Sequence, residues 1–489
     1  LPRQYFDITD LVSYARANRA VSGIQRVQVR VLEQLAAQAG ESRDSRARDE
    51  QHCLFATGGL RPLRACRAVE LFGGGTYEPG RFLVQLGFER PTDAFTRREL
   101  TDHLARYRKG SATRVLSKVR LQLLGRVAPA SARASMGLPP RDPSGGGLRA
   151  GGGAVSGAAI APIHTWQSAR LDPADTLVLI GTNWNVSRIE SIARRHAGRG
   201  GRVIQVVYDL IPLRHPEYCI ESLARKFTGY LGRSLTFTSQ YVCISEATAA
   251  DMRQYLEEQG KTAEVVVWPL AHEFDGYPRN HRGTIPSDTA FLPGASEPFA
   301  LCVGTIEIRK NGGFLLEAWQ RLIHELGDRT PRLVFAGKYG WKIDGFRQRL
   351  EGDTRLRERV MIVSTPTDAD LAALYERCLF SVYPSLVEGW GLPVGEAAWF
   401  GKVTVASSSS SLPEVLGPLA DYARPDDLDG FVRGLRRLID DAGYRTARER
   451  ELAAAPLRTW ADVAADLRRL LERPCERSVS RVDHPTITS

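Results

Sequence analysis

Two glutamates, Glu388 and Glu396, stand eight positions apart on either side of Gly389-Trp390-Gly391-Leu392-Pro393-Val394-Gly395. Carboxylates accept hydrogen bonds from ligand hydroxyls, and glycines let a ligand approach the backbone closely. The apolar run 379–383 ahead of them reads as a buried strand, and Pro393 suits the first position of a helix that stops near Gly401. The amides of residues 392–395 are then helix-start donors without intrahelical partners, aimed at a phosphate or at sugar hydroxyl oxygens. A turn at the carboxyl end of a strand is where open α/β sheets bind ligands. Residue type and spacing together describe a site for a polyol joined to a phosphate.

Upstream, Val303-Gly304-Thr305-Ile306-Glu307-Ile308-Arg309-Lys310-Asn311 places two cations between a strand and a helix. Positive charge at a helix amino end opposes the macrodipole unless an anion is held there. Arg309 and Lys310 therefore suit a diphosphate, and the charge that builds on it as a glycosidic bond breaks. Strand-end turns at Gly337 and Ser364 would flank a base. In the amino-terminal half, Ser22-Gly23-Ile24-Gln25-Arg26 puts a glycine at the start of a long helix, where a ligand can come close.

Pro384-Ser385, Glu388 to Pro393, Glu396-Ala397 and Ser411-Leu412-Pro413-Glu414 occur in an order that resembles the E-x7-E signature of retaining nucleotide-sugar glycosyltransferases of the GT-B fold, family 4 type. The string ending at Asn311 resembles the family's VGTxExRKN motif. A widespread variant has Arg where this chain has Thr305, so Arg309 must supply the guanidinium. The resemblance implies that Glu396 accepts from the ribose hydroxyls. It also implies that Glu388 and the amides of Gly389, Trp390, Gly391 and Leu392 hold the donor sugar and the phosphate oxygens, with Thr305 beside them. Tyr208-Asp209-Leu210-Ile211-Pro212 resembles a cleft-facing segment that often has His before Asp, and Tyr208 in that place puts a histidine role in doubt. Asp209 is a candidate to touch the donor sugar or orient the acceptor, the alternative being that it caps the next turn. Ser245-Glu246-Ala247-Thr248 also matches, most simply as a helix cap.

By the same resemblance the chain looks most like bacterial mannosyl- and rhamnosyltransferases of surface-polysaccharide assembly. The donor is a nucleoside diphosphate sugar, with GDP-mannose as the first guess, and the acceptor a glycan or lipid-linked glycan. Retention without an evident carboxylate nucleophile implies a front-side route, with Arg309, Lys310, Glu388 and Asp209 as the candidate catalytic groups. Two rivals remain: a sugar-nucleotide epimerase of the same fold, and a catalytically silent binding subunit.

Other chemistries find little support. The glycine runs match neither a phosphate-binding P-loop nor a dinucleotide fingerprint. Asp368-Ala369-Asp370 is a D-x-D string, but it opens a helical pattern and reads as a cap, so neither a metal nor another cofactor is expected. A net charge of +10 favours an anionic partner. Without zinc-finger spacing, basic heptads or interleaved aromatics, a membrane surface or lipid-linked acceptor fits better than nucleic acid. The seven scattered cysteines, none in a C-x-x-C pair, read as buried thiols in a reducing compartment. No apolar stretch reaches membrane-spanning length and no signal peptide is evident, so the expectation is a cytoplasmic protein, at most peripheral at the inner face of the membrane.

Alternating apolar runs and helical patterns imply an α/β chain of two doubly wound Rossmann-like domains facing a cleft. The expected bounds are 1–270 for the acceptor side, a proline-rich connection at 271–298, 299–473 for the nucleotide-sugar side, and a polar tail at 474–489. Strands are expected at 4–9, 53–56, 176–181, 202–208, 241–244 and 264–268, then at 300–304, 332–336, 360–363, 379–383 and 403–406. An insert at 95–166 stands apart. Ten Arg and Lys between Arg97 and Arg133, against Glu99 and Asp102, accompany an apolar face at Val115, Leu116, Val119, Leu123 and Leu124. That is a basic amphipathic helix, suited to an anionic membrane or to packing on its own domain, followed by a glycine-rich run.

Overall fold

The computed structural model describes residues 2–16, 23–41, 50–56, 63–73, 77–86, 167–281, 293–294 and 297–473. The basic, glycine-rich insert, most of the second half of the connection and the polar tail lie outside these residues.

The amino-terminal sheet holds β1 (Gln4–Asp7), β2 (Gln51–Phe55), β3 (Arg64–Arg67), β4 (Gln167–Ser168), β5 (Thr176–Leu179), β6 (Arg202–Val207), β7 (Gln240–Cys243) and β8 (Glu264–Val267), in the order β4-β3-β2-β1-β5-β6-β7-β8. Its pairs are parallel except where β3 runs antiparallel to β2 and β4. The carboxyl-terminal sheet is parallel throughout, with β9 (Phe299–Val303), β10 (Arg332–Ala336), β11 (Val360–Val363), β12 (Phe380–Tyr383), β13 (Thr404–Ser407) and β14 (Asp421–Ala423) in the order β11-β10-β9-β12-β13-β14. Strands such as Phe299-Ala300-Leu301-Cys302-Val303 are buried at every residue because helices cover both faces, which is why they read as unbroken apolar runs.

In each sheet the direction of strand succession reverses at one place, between β1 and β5 and between β9 and β12. Loops on either side of such a reversal part and leave a crevice at the strands' carboxyl ends. The crevice of the carboxyl-terminal sheet carries the residues Thr305, Arg309, Lys310 and Glu388 singled out from sequence.

The final helix, Trp460–Glu472, is fixed at its start by a capping box between Thr459 and Asp462. It returns to the amino-terminal half, where Trp268 Nε1 donates to the Val463 carbonyl at 2.9 Å and the Arg202 guanidinium donates to the Leu471 carbonyl at 3.0 Å. The described part of the connection is packed too: Phe274 is buried against Tyr375 and Phe400, and Asp275 pairs with Arg30 at 2.7 Å. Six described cysteines are free and buried. Among the described residues no helix is long and apolar enough to cross a membrane.

Candidate functional site

At the carboxyl-terminal switch point β9 is followed by Gly304, whose φ of +137° suits glycine alone. A Cβ on Gly337, after β10, would lie 2.0 Å from the Gly304 carbonyl oxygen, so glycine there lets the two strand-end turns meet. Ile308–Lys310 forms a single 3₁₀ turn, and Asn311 at φ +57° swings the chain into the Gly312–Leu326 helix. This turn aims both cations at the loop after β12. Arg309 Nη1 lies 2.7 Å from Glu388 Oε2, Arg309 Nη2 lies 2.8 Å from Glu307 Oε1, and Lys310 Nζ lies 2.6 Å from Glu388 Oε1. Lys310 also bonds the Tyr383 hydroxyl, and Arg309 donates to the Val387 carbonyl at 2.8 Å.

The side chain of Glu388 is 9% exposed. Burial would raise its carboxyl, but Arg309 and Lys310 outweigh burial and hold it at about 2. Burial draws Lys310 below the ordinary lysine range in spite of Glu388. Two cations and a carboxylate thus form one buried cluster beside a recess lined by Gly304, Thr305, Lys310, Tyr383 and Ser385. From sequence, Glu388 faced the sugar and the cations faced the phosphates; the structure joins all three.

The turn itself is held by Ser411, which belongs to the string matched from sequence, and by Ser410, which was not singled out. The Glu388 amide donates to Ser410 Oγ at 2.8 Å, and Ser411 Oγ donates to the carbonyls of Glu388 and Trp390. Gly391, at φ +119°, is the N-cap, and the helix runs Leu392–Trp399, so Pro393 stands at its second position rather than its first. The Trp390 side chain is buried near His272. Ser364 is exposed and outside the residues lining the recess.

The ribose candidate, Glu396, is also buried. Its Oε2 accepts from the Tyr375 hydroxyl at 2.9 Å and its Oε1 pairs with Arg26 at 2.9 Å. Arg26 belongs to the Ile24–Glu41 helix of the other half, which starts just after Gly23 at φ +53°. The same guanidinium reaches Asp368 at 2.7 Å. Of the D-x-D pair, Asp370 completes a capping box with Thr367, as the sequence suggested, whereas Asp368 sits at the first helical position and takes the ion pair instead. Among the described residues no group of three or more His, Cys, Asp or Glu side chains is placed to hold a metal ion.

The amino-terminal switch point carries a buried polar cluster that sequence reading did not single out. Asp7 accepts from Thr9 Oγ1 at 2.5 Å and from Asn183 Nδ2 at 2.7 Å, while Asp10 Oδ2 accepts from Gln25, Gln28 and Thr182. Burial pushes the Asp7 carboxyl up to about 7 from 3.8, so between about pH 4 and pH 7 the folded chain keeps a proton that the unfolded chain has released. Stability from this group is therefore lost as pH rises through that window. Asp7→Asn should melt lower than or level with the parent near pH 4, and gain on it by roughly 2 to 4 °C by pH 8. Melting curves at both pH values check this, and a gap independent of pH would refute it.

Tyr208 spends its hydroxyl on the Ile180 carbonyl at 2.8 Å. Asp209 caps the following turn, accepting from the Ile211 amide at 3.0 Å, and lies against Gly389 of the opposite half. Across the same junction Glu414 accepts from the amides of Glu246 and Ala247 at 2.6 and 2.8 Å, at a helix start that Ser245 also caps.

Residues 297–441 match the family described as glycosyl transferases group 1. The O-antigen chain mannosyltransferase B of Escherichia coli is 32% identical over 260 residues, which span 53% of this chain and 67% of that protein. The serotype-specific mannosyltransferase WbdA of Escherichia coli is 29% identical over 269 residues, 54% of this chain but 32% of WbdA, so the chain spans about a third of that relative. Anabaena HepE, solved in complex with UDP and glucose, superposes with a TM-score of 0.53 at 13% identity, covering 96% of this chain and 99% of HepE. That likeness speaks to the GT-B arrangement of two facing α/β sheets. With that fold and a match spanning two-thirds of a mannosyltransferase, the chain belongs to the group 1 glycosyltransferases.

Proposed function

We propose that this enzyme moves a mannosyl group from a nucleoside diphosphate sugar, first of all GDP-mannose, to a hydroxyl of a glycan in bacterial surface-polysaccharide synthesis, with retention of configuration. The observation that carries this reading is the buried cluster of Arg309, Lys310 and Glu388 at the switch point after β9 and β12. The two mannosyltransferase relatives support the choice of sugar.

The bond from the sugar's anomeric carbon to the diphosphate breaks, and the acceptor oxygen bonds to that carbon from the same face. The acceptor proton passes to the departing diphosphate oxygen, so no enzyme carboxylate need act as nucleophile. Arg309 and Lys310, preorganised by Glu388, stabilise the charge left on the diphosphate. Glu388 accepts from sugar hydroxyls and Glu396 from the ribose. Asp209, across the junction from Gly389, orients the acceptor. Attachment of the 95–166 insert to an anionic membrane would bring a lipid-linked acceptor to this cleft, a reading that rests on sequence alone.

The two glutamates should separate by role. Glu396→Gln is expected to weaken binding of bare GDP by about tenfold, because ribose contacts exist in ground and transition states alike. Glu388→Gln is expected to spare bare GDP and lower kcat by about a hundredfold. Calorimetry and initial rates check the pair, and equal loss of GDP affinity in both would contradict the split. The donor itself is tested by thermal shift against GDP-, UDP-, dTDP- and ADP-sugars, since a ligand that binds the folded state raises the melting point. A shift confined to a base other than guanine would overturn GDP-mannose.

A further inference from the structure

Arg26 reaches from the amino-terminal half into the nucleotide side, and the proposed reaction gives it no role. It stands on the first turn of the Ile24–Glu41 helix, where a cation opposes the macrodipole. What offsets that cost lies on the other half of the molecule. Its guanidinium spans Glu396 Oε1 at 2.9 Å and Asp368 Oδ1 at 2.7 Å, with the Phe274 ring centroid 5.7 Å from its central carbon. The Arg26 side chain is 16% exposed and that of Glu396 6%, so the pair is shielded from solvent, whereas Asp368 is half exposed.

A guanidinium that bridges two carboxylates, with one bond to each, holds its plane fixed and so fixes the position and the charge of the buried one. Burial raises the Glu396 carboxyl, and Arg26 is the largest influence that opposes it. Without Arg26 the buried carboxylate would lose its cation and tend to protonate, turning an acceptor of two hydroxyl hydrogen bonds into a partial donor. Tyr375 already donates to Oε2, so the remaining lone pairs are those a ribose would use.

We propose that Arg26 is a positioning residue for ribose recognition: it holds Glu396 ionised and oriented from across the interdomain junction, so that the nucleotide's sugar is read only when the two halves are together. This rests on the reading of Glu396 as the ribose acceptor. It also links two events. Whatever strengthens the Arg26 contact strengthens ribose binding, and a bound ribose in turn favours the joined arrangement of the halves.

The test compares GDP and UDP, each beside its 2′,3′-dideoxy form, by calorimetry on the full chain. The parent should prefer the ribonucleotide by about tenfold or more, the value of hydrogen bonds to a charged acceptor. Arg26→Gln should bring that preference to within about threefold of unity while leaving dideoxy affinity within about twofold of the parent. Arg26→Lys, which keeps the charge but cannot span both carboxylates, should fall between, and carries the same comparison should the Gln variant fail to fold. A merely structural role would weaken both forms of the nucleotide together. An unchanged ribose preference in both variants, or parallel loss of the two forms, overturns the proposal. If the parent itself shows no ribose preference, the reading of Glu396 falls instead, and that failure is visible without any variant.

Discussion

Replacing Arg309 or Lys310 with alanine is expected to lower kcat/KM by about 2 to 4 kcal/mol, with most of the loss in kcat. The cations do their work on charge that appears only as the diphosphate leaves, so the penalty should fall on turnover more than on ground-state binding. Either single variant leaves Glu388 with one partner, Lys310 at 2.6 Å or Arg309 at 2.7 Å, and should fold. The double variant leaves a buried carboxylate with no cation, which is strongly destabilising, so its melting point should drop as well. Initial rates with GDP-mannose, read beside melting curves, check both statements. A folded double variant with the parent's kcat would remove the diphosphate assignment.

Gly389→Ala is expected to cut kcat by about a hundredfold and to weaken binding of bare nucleotide with it. A methyl group at this position would lie 1.9 Å from the Tyr208 carbonyl oxygen and 3.1 Å from Asp209 Cβ. The first of these neighbours is backbone at the end of β6, so it cannot swing away as a flexible side chain would. The halves must separate to admit the methyl, and a displacement near 1 Å in reacting geometry costs on the order of a hundredfold in rate. Separation also loosens the Arg26–Glu396 contact across the same junction, so affinity for bare GDP should fall as well. Turnover within twofold of the parent would mean that this contact is not part of the working arrangement.

Legibility in sequence followed the distance between interacting residues. Glu388 and Glu396, and Arg309 with Lys310, lie in short contiguous strings whose spacing alone implies a strand-end turn and a helix start. Five strands of the carboxyl-terminal sheet were readable from their apolar runs, whereas the edge strand β14, Asp421–Ala423, is short and half-buried and was not. Arg26 was not readable as a partner of Glu396, since 370 positions separate them and only the meeting of two domains joins them. The pairing of Glu388 with both cations, 78 positions from Lys310 within one half, was hidden because each element looked like a ligand site by itself. Asp7 was read only as part of the strand at 4–9 and Asp10 was not singled out, because a buried carboxylate leaves no mark in periodicity when partners such as Asn183 and Thr182 lie on another strand's loop. Strand β3, Arg64-Ala65-Cys66-Arg67, second from the sheet's edge, is too short and too charged to show an alternation. The helix after Gly391 begins one residue earlier than Pro393 suggested, because glycine at positive φ makes the cap and leaves Leu392 as the first helical residue.

The central claim is that this cleft transfers a sugar, with retention, from a nucleoside diphosphate. Its most direct test is to incubate the full chain with GDP-mannose and a mannose-terminated oligosaccharide and to follow the anomeric signals by NMR as GDP is released. The account predicts a new α-linked mannose on the acceptor, formed in step with GDP. A β-linked product, or GDP release that yields only free mannose under acceptor saturation, would contradict it.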